Sequence, residues 1–212
     1  MHLSLTVTLI LITAVTSFIA FSNQKVIDDL IFYPPAVTYR KQWYRFITCG
    51  FIHADIGHLA FNMLSFYFFG PALEKIFERY FEGTGKLLYL VFYASSLVVC
   101  LLPTYIKHRF DSNYRSLGAS GAVSAVIFAT IYYSPLTKVG IMFLPEMPGF
   151  IFGPLYLIIT AVLIKRGQGN INHSAHFWGA IYGIAFFTIA CLALSDFNPL
   201  TNFAEQVKSY FH

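Results

Sequence analysis

The chain has 212 residues, of which 57% are hydrophobic, 18% aromatic and only 11% charged, with a net charge of +4. So few charges cannot cover the surface of a water-soluble domain of this length, so a soluble globular protein is excluded. The basic residues are scattered through loops without a dense run, which gives no support to nucleic acid as a partner and leaves the lipid bilayer as the expected environment.

Six apolar runs approach the roughly 20 residues that carry a helix across the hydrocarbon core. They cover residues 3–21, 58–77, 87–106, 117–133, 150–164 and 174–194. The expected fold is therefore an all-α polytopic membrane protein, a single six-helix membrane domain over residues 1–212, with a large interfacial loop at 23–55. No Lys or Arg precedes the first run and no small-residue cleavage pattern follows it, so it is read as a retained span. Cys49, Cys100 and Cys191 are odd in number and set in apolar context, which points to packing and away from a disulfide framework. Charge does not fix the orientation. With the first residue in the cytoplasm, the outer loops hold more Lys and Arg than the inner ones, the reverse of the usual bias.

Loop 23–55 mixes aromatic residues (Phe32, Tyr33, Trp43, Tyr44, Phe46) with Arg40, Lys41 and Arg45. The mixture suits a segment in the headgroup region, with aromatic rings at the interface, cations reaching phosphates and Pro34-Pro35 breaking any helix in its middle. At the start of the second run, His58 and Asn62 are four residues apart and share one helix face. They either aim donors at one spot or satisfy neighbouring carbonyls. His53 and Asp55 just before them read as loop polar groups or a helix cap. Further down, Gly70 and Pro71 perturb the helix, and Glu74 is expected to be structural, paired with Lys75, Arg79 or a neighbouring loop.

The fourth run opens with Gly118-Ala119-Ser120-Gly121. A serine there sits at or beside a helix N-cap, where free backbone N–H groups and the positive end of the dipole can hold an anion. Such a serine is ordinarily just a cap. The following small residues (Gly121, Ala122, Ser124, Ala125) permit a close helix approach, and the sixth run offers His176 with Gly179 and Gly183 at small-xxx-small spacing. Packing the two runs together would bring Ser120 to His176, since both lie near the start of spans that begin at the same membrane face.

Taken together, Gly118-Ala119-Ser120-Gly121, His58-x-x-x-Asn62, Ala175-His176-x-x-Gly179-x-x-x-Gly183 and Trp43-x-Arg45 resemble the rhomboid intramembrane serine proteases. The resemblance runs from the first loop to the last span, in the size range of the six-span bacterial form, which implies a multi-pass protein of a bacterial cell membrane. It implies Ser120 as nucleophile, His176 as general base without a carboxylate, His58 and Asn62 at the oxyanion, and Gly118, Gly121, Gly179 and Gly183 as helix-packing support. No cofactor and no metal are implied, and the partners are transmembrane protein substrates.

One position departs from several members of that family: Ser124 stands where an aromatic ring would lie beneath the histidine. Water would enter a polar cavity lined by residues 111–117 and capped by residues 166–174, with Gly167 and Gly169 loosening the cap. The fifth run, weakened by Gly153-Pro154, is the expected movable gate for a substrate helix. Three alternatives compete with the protease: a catalytically inactive rhomboid-like binding or quality-control factor; a metalloprotease built on His58, His173 and His176, for which His-Glu-x-x-His is missing; and a small transporter, for which the sequence offers no paired discontinuous helices in matching halves.

Overall fold

The computed structural model describes residues 4–140, 145–167 and 171–212. Eleven α-helices are present among them: α1 Leu5–Phe21, α2 Gln24–Leu30, α3 Pro34–Arg40, α4 Arg45–Thr48, α5 Ile56–Tyr80, α6 Gly85–Val99, α7 Leu102–His108, α8 Ser120–Tyr133, α9 Gly149–Arg166, α10 His173–Leu194 and α11 Pro199–Tyr210. Their starts follow ordinary capping chemistry. Ser4, Asn23, Asp55, Asn172 and Asn198 each accept a backbone N–H of the first turn on a side-chain oxygen.

Three stretches are long and apolar enough to cross a membrane, Gly85–His108, Gly149–Arg166 and His173–Leu194; Leu5–Phe21 and Ser120–Tyr133 are apolar but shorter. The 25-residue α5 carries Glu74, Lys75, Glu78 and Arg79 in its last two turns. Large apolar side chains stand exposed on the outer faces, among them Val15 of α1, Phe61 and Phe68 of α5, Ile158 of α9 and Ile189 of α10. An apolar exterior of this extent belongs in lipid.

The boundaries depart from the sequence reading in ways that have local causes. The second expected span, α5, begins two residues earlier than expected because Asp55 caps it, and it runs through Pro71 to Tyr80. The third expected span is two helices, interrupted at Cys100–Leu101, with Pro103 at the start of α7. The fourth begins only at Ser120, since Gly118 takes φ +114°, a left-handed conformation that a helix cannot contain. Pro154 lies inside α9 without ending it. Two short strands, β1 Lys138–Val139 and β2 Met147–Pro148, pair antiparallel, so the all-α expectation holds except for this small ladder and an isolated Phe32–Ser116 bridge.

Loop 23–55 is built mainly of short helices. Pro34 and Pro35 start α3 where the sequence reading had them breaking a helix, because proline suits a first turn whose N–H groups lack partners. Arg45 is not a snorkelling cation. It is 6% exposed and donates to the carbonyls of Asp28 (2.8 Å) and Ile31 (2.7 Å) and to the Gln42 side chain (2.6 Å), drawing three segments of the loop together.

Glu74 does not pair with Lys75 or Arg79. Its carboxylate, 3% exposed, accepts the backbone N–H groups of Leu5 (2.8 Å) and Thr6 (2.9 Å) and the Thr6 hydroxyl, which also meets Tyr89. It thereby caps α1 from another helix at the positive end of its dipole, worth about 1–2 kcal/mol. A C-terminal helix, α11, was not among the expected elements. Asn202 and Gln206 on it donate to the Tyr133 carbonyl (2.8 and 2.9 Å), closing the end of α8.

At the centre of the bundle, α8 is enclosed by α5, α6, α9, α10 and α11. Ala122, Ala125 and Ala129 are fully buried, and small side chains let the neighbours close around them.

Candidate active site

The approach of α8 to α10 rests on glycine. A Cβ built at Gly179 would overlap the Gly121 carbonyl oxygen, and one at Gly183 would overlap the Ala125 carbonyl oxygen, so backbone meets backbone at both levels. Gly121 in turn faces the Cys100 sulfur and the Ala175 carbonyl. Because the two helices touch this closely near their starts, Ser120 and His176 meet, with Nε2 2.6 Å from Oγ. The N-cap of α8 is Ala119, and Ser120 is the first helical residue. Its side chain is thus free of capping duty.

The pair opens onto a cavity of about 700 Å³. Its polar end holds His58, Asn62, Ser116, Asn172 and the dyad; its apolar end runs between α5 and α9, past Phe69 and Phe152. Asn172 ties this wall together: its side-chain oxygen accepts from Thr104 (3.2 Å) and from the Ala175 N–H, and its amide nitrogen reaches Ser116 (3.4 Å). Of the expected cap, Gly167 ends α9 at φ +62°, whereas Gly169 lies outside the described residues.

His58 and Asn62 share the cavity-facing side of α5, but they do not hold their donors alike. The His58 ring lies against Gly118, where any side chain would strike it, so glycine at 118 serves both the left-handed turn and the imidazole. The Asn62 side-chain N–H donates to the His58 carbonyl in its own helix (2.9 Å). This satisfies a local carbonyl, the blander of its two expected roles, and leaves the second amide hydrogen for the cavity. Beneath the dyad, the Ser124 hydroxyl meets the Tyr156 hydroxyl of α9 at 3.3 Å.

His53 is the residue that sequence reasoning undervalued. It is 1% exposed, its Nε2 accepts the Ala119 N–H (3.3 Å), and its Nδ1 stands 3.0 Å from the Ser17 hydroxyl of α1. Its ring packs edge-on to His58 at 5.0 Å. Burial, and the neighbouring His58, depress its pKa from 6.5 to about 3. The only sequence signal was a second histidine five residues before His58.

Other nucleophiles and ligand sets are poorly placed. All three cysteines are buried, and burial pushes the Cys49 thiol up to about 12, far from a reactive thiolate. Among the described residues, no three His, Cys, Asp or Glu side chains stand close enough to share a metal ion, so His58, His173 and His176 do not form the triad the metalloprotease alternative needs.

Comparison with known proteins identifies the family. Over 143 residues the chain is 34% identical to the mitochondrial RHOMBOID-like protein 12 of Arabidopsis thaliana, covering 63% of this chain and 42% of that one. It is 31% identical over 144 residues to the YdcA protein of Bacillus subtilis (strain 168), covering 67% and 64%, and 31% identical over 157 residues to the rhomboid protease GluP of the same strain, covering 72% and 27%. The chain thus spans less than two thirds of the length of each of these relatives. Residues 40–193 match the Rhomboid domain, which embraces the first-loop arginine, the His58–Asn62 face and both glycine-packed helices, and the chain belongs to the rhomboid family of polytopic membrane proteins.

Proposed function

We propose that the chain is an intramembrane serine endopeptidase that cleaves transmembrane segments of other membrane proteins with a Ser120–His176 dyad. The observation that carries this reading is the 2.6 Å contact between His176 Nε2 and Ser120 Oγ at the polar end of a cavity that continues between two apolar helices. In this reading α1, α5, α6 with α7, α8, α9 and α10 are six spans.

The chemistry follows acyl transfer. His176 accepts the Ser120 proton as Oγ attacks a peptide carbonyl, then returns a proton to the leaving amine, and water hydrolyses the acyl-enzyme. The tetrahedral oxyanion is stabilised by the Ser120 N–H at the helix start and by donors from His58 and Asn62. Depth is set by length. With 14 residues, α8 spans about 21 Å at 1.5 Å per residue, short of the ~30 Å hydrocarbon core, so at least one of its ends lies below the membrane surface, and in this reading it is the Ser120 end. The cavity supplies the water that the chemistry needs there.

A serine-directed fluorophosphonate and a reporter transmembrane substrate test the proposal. The unmodified protein labels and cleaves, whereas Ser120→Ala abolishes both and His176→Ala lowers both by about 10³-fold or more. An unmodified protein that folds but neither labels nor cleaves supports instead the inactive binding or quality-control reading.

A further inference from the structure

We infer that His53, a residue of the first loop, is the positioning residue of the active site: it holds the turn that delivers Ser120 and keeps the Ser120 N–H free for the oxyanion. The inference rests on the protease reading above.

It starts from the accounting of donors at the entry to α8. The Ser116 N–H is bound to the Phe32 carbonyl (3.1 Å), the Gly118 N–H to the Cys49 carbonyl (2.9 Å) and the Ala119 N–H to His53 Nε2. Three donors before the nucleophile are therefore committed to the first loop. Ser120, as the first helical residue, has no intrahelical acceptor for its N–H, so the donor beside the nucleophile stays available to an oxyanion.

The same bonds fix the histidine's protonation. Nε2 accepts the Ala119 N–H and so carries no proton, which places the ring proton on Nδ1, facing Ser17 Oγ at 3.0 Å. The Ser17 hydroxyl then donates to the Phe51 carbonyl at 3.1 Å. Every donor in this chain from Ala119 to Phe51 finds one acceptor, and no buried polar atom of His53 or Ser17 is left over. A protonated His53 would turn an N–H toward the Ala119 N–H. The titratable groups around it are His58, edge-on at 5.0 Å, and Asp55, whose carboxylate is committed to the His58 backbone N–H. His53 thus braces both sides of the oxyanion site, the backbone turn through a hydrogen bond and the His58 ring through packing, and Ser17 anchors the brace to α1.

The test compares His53→Ala, His53→Gln and Ser17→Ala by reporter cleavage and by fluorophosphonate labelling of Ser120. Glutamine places one acceptor and one donor at the far end of a side chain of similar reach, and so can rebuild the bridge. His53→Ala should lower kcat about 10²-fold with KM changed by no more than about twofold, since the turn is misplaced while the substrate path is untouched. His53→Gln should recover most of the loss, and Ser17→Ala should lower kcat about three- to tenfold. Unchanged kcat in His53→Ala, or a loss equal in His53→Gln and His53→Ala, overturns the assignment. Should His53→Ala fail to fold, Ser17→Ala decides by the same criterion. A protease reading that fails shows itself differently, in an unmodified protein inert to both probes, and takes this assignment with it.

Discussion

His53 illustrates how a residue acquires its chemistry from distant partners. Its two ring nitrogens reach Ser17 and Ala119, 36 and 66 residues away along the chain, and the surrounding burial holds it neutral. That neutrality links stability to pH. In the unfolded chain the imidazole takes up a proton below about 6.5, whereas in the fold it stays neutral down to about 3, so the unfolded state binds more protons in that window. Stability in detergent should therefore fall as the pH drops from about 6.5 toward 3, by at most about 1.4 kcal/mol per unit from this group. Thermal melting of His53→Gln, which titrates nothing there, should have a shallower pH slope than the unmodified protein; parallel slopes would show that His53 is not held neutral. Ser120 and His176 were more legible, because the glycine and small-residue spacing around each pointed to a close contact between their helices. His53 was not, since a histidine before a helix reads like any loop polar group until its partners are placed.

At the level of helices, the contact between α8 and α10 decides whether the dyad exists. Gly179 and Gly183 meet carbonyl oxygens of the facing helix, and backbone cannot move aside as a flexible side chain would. Gly179→Ala and Gly183→Ala should each destabilise the protein by about 1–3 kcal/mol, read as a lower melting temperature. Fluorophosphonate labelling should fall in parallel, because the added methyl group separates Ser120 from His176. Unchanged melting would mean the helices have room to spare. Helices were the readily legible part of this chain, yet their ends were misjudged wherever a cap or a turn intervened: Asp55 lengthened α5, and Gly118 delayed α8 until Ser120. Glu74 was rightly read as structural, but its partners on α1 lie 68 and 69 residues earlier, beyond any local pattern.

For the molecule as a whole, the proposed function requires a path from the lipid to Ser120, which sits at the start of a helix packed by five others. The cavity's apolar end lies between α5 and α9, where Phe69 and Phe152 line it, while the Ser124–Tyr156 contact ties α9 to α8. α9 is also the least buried of the three long apolar stretches. A Phe69→Cys/Phe152→Cys pair bridged by a short crosslinker should slow cleavage of a transmembrane reporter and leave labelling by a small fluorophosphonate intact. Equal slowing of both would place the entry elsewhere.

Composition and run length were enough to establish a helical membrane protein, and motif spacing pointed to the rhomboid family, because the demand for about 20 apolar residues per span and the 3.6-residue helical period are local constraints written along the chain. The destinations of the polar groups were settled by the folded arrangement. Arg45 gathers the first loop, Glu74 caps α1, Asn62 turns back to its own helix and His53 braces the turn before Ser120. Each of these follows from a buried donor or acceptor finding a partner where water is absent, and that partner is chosen by packing in three dimensions.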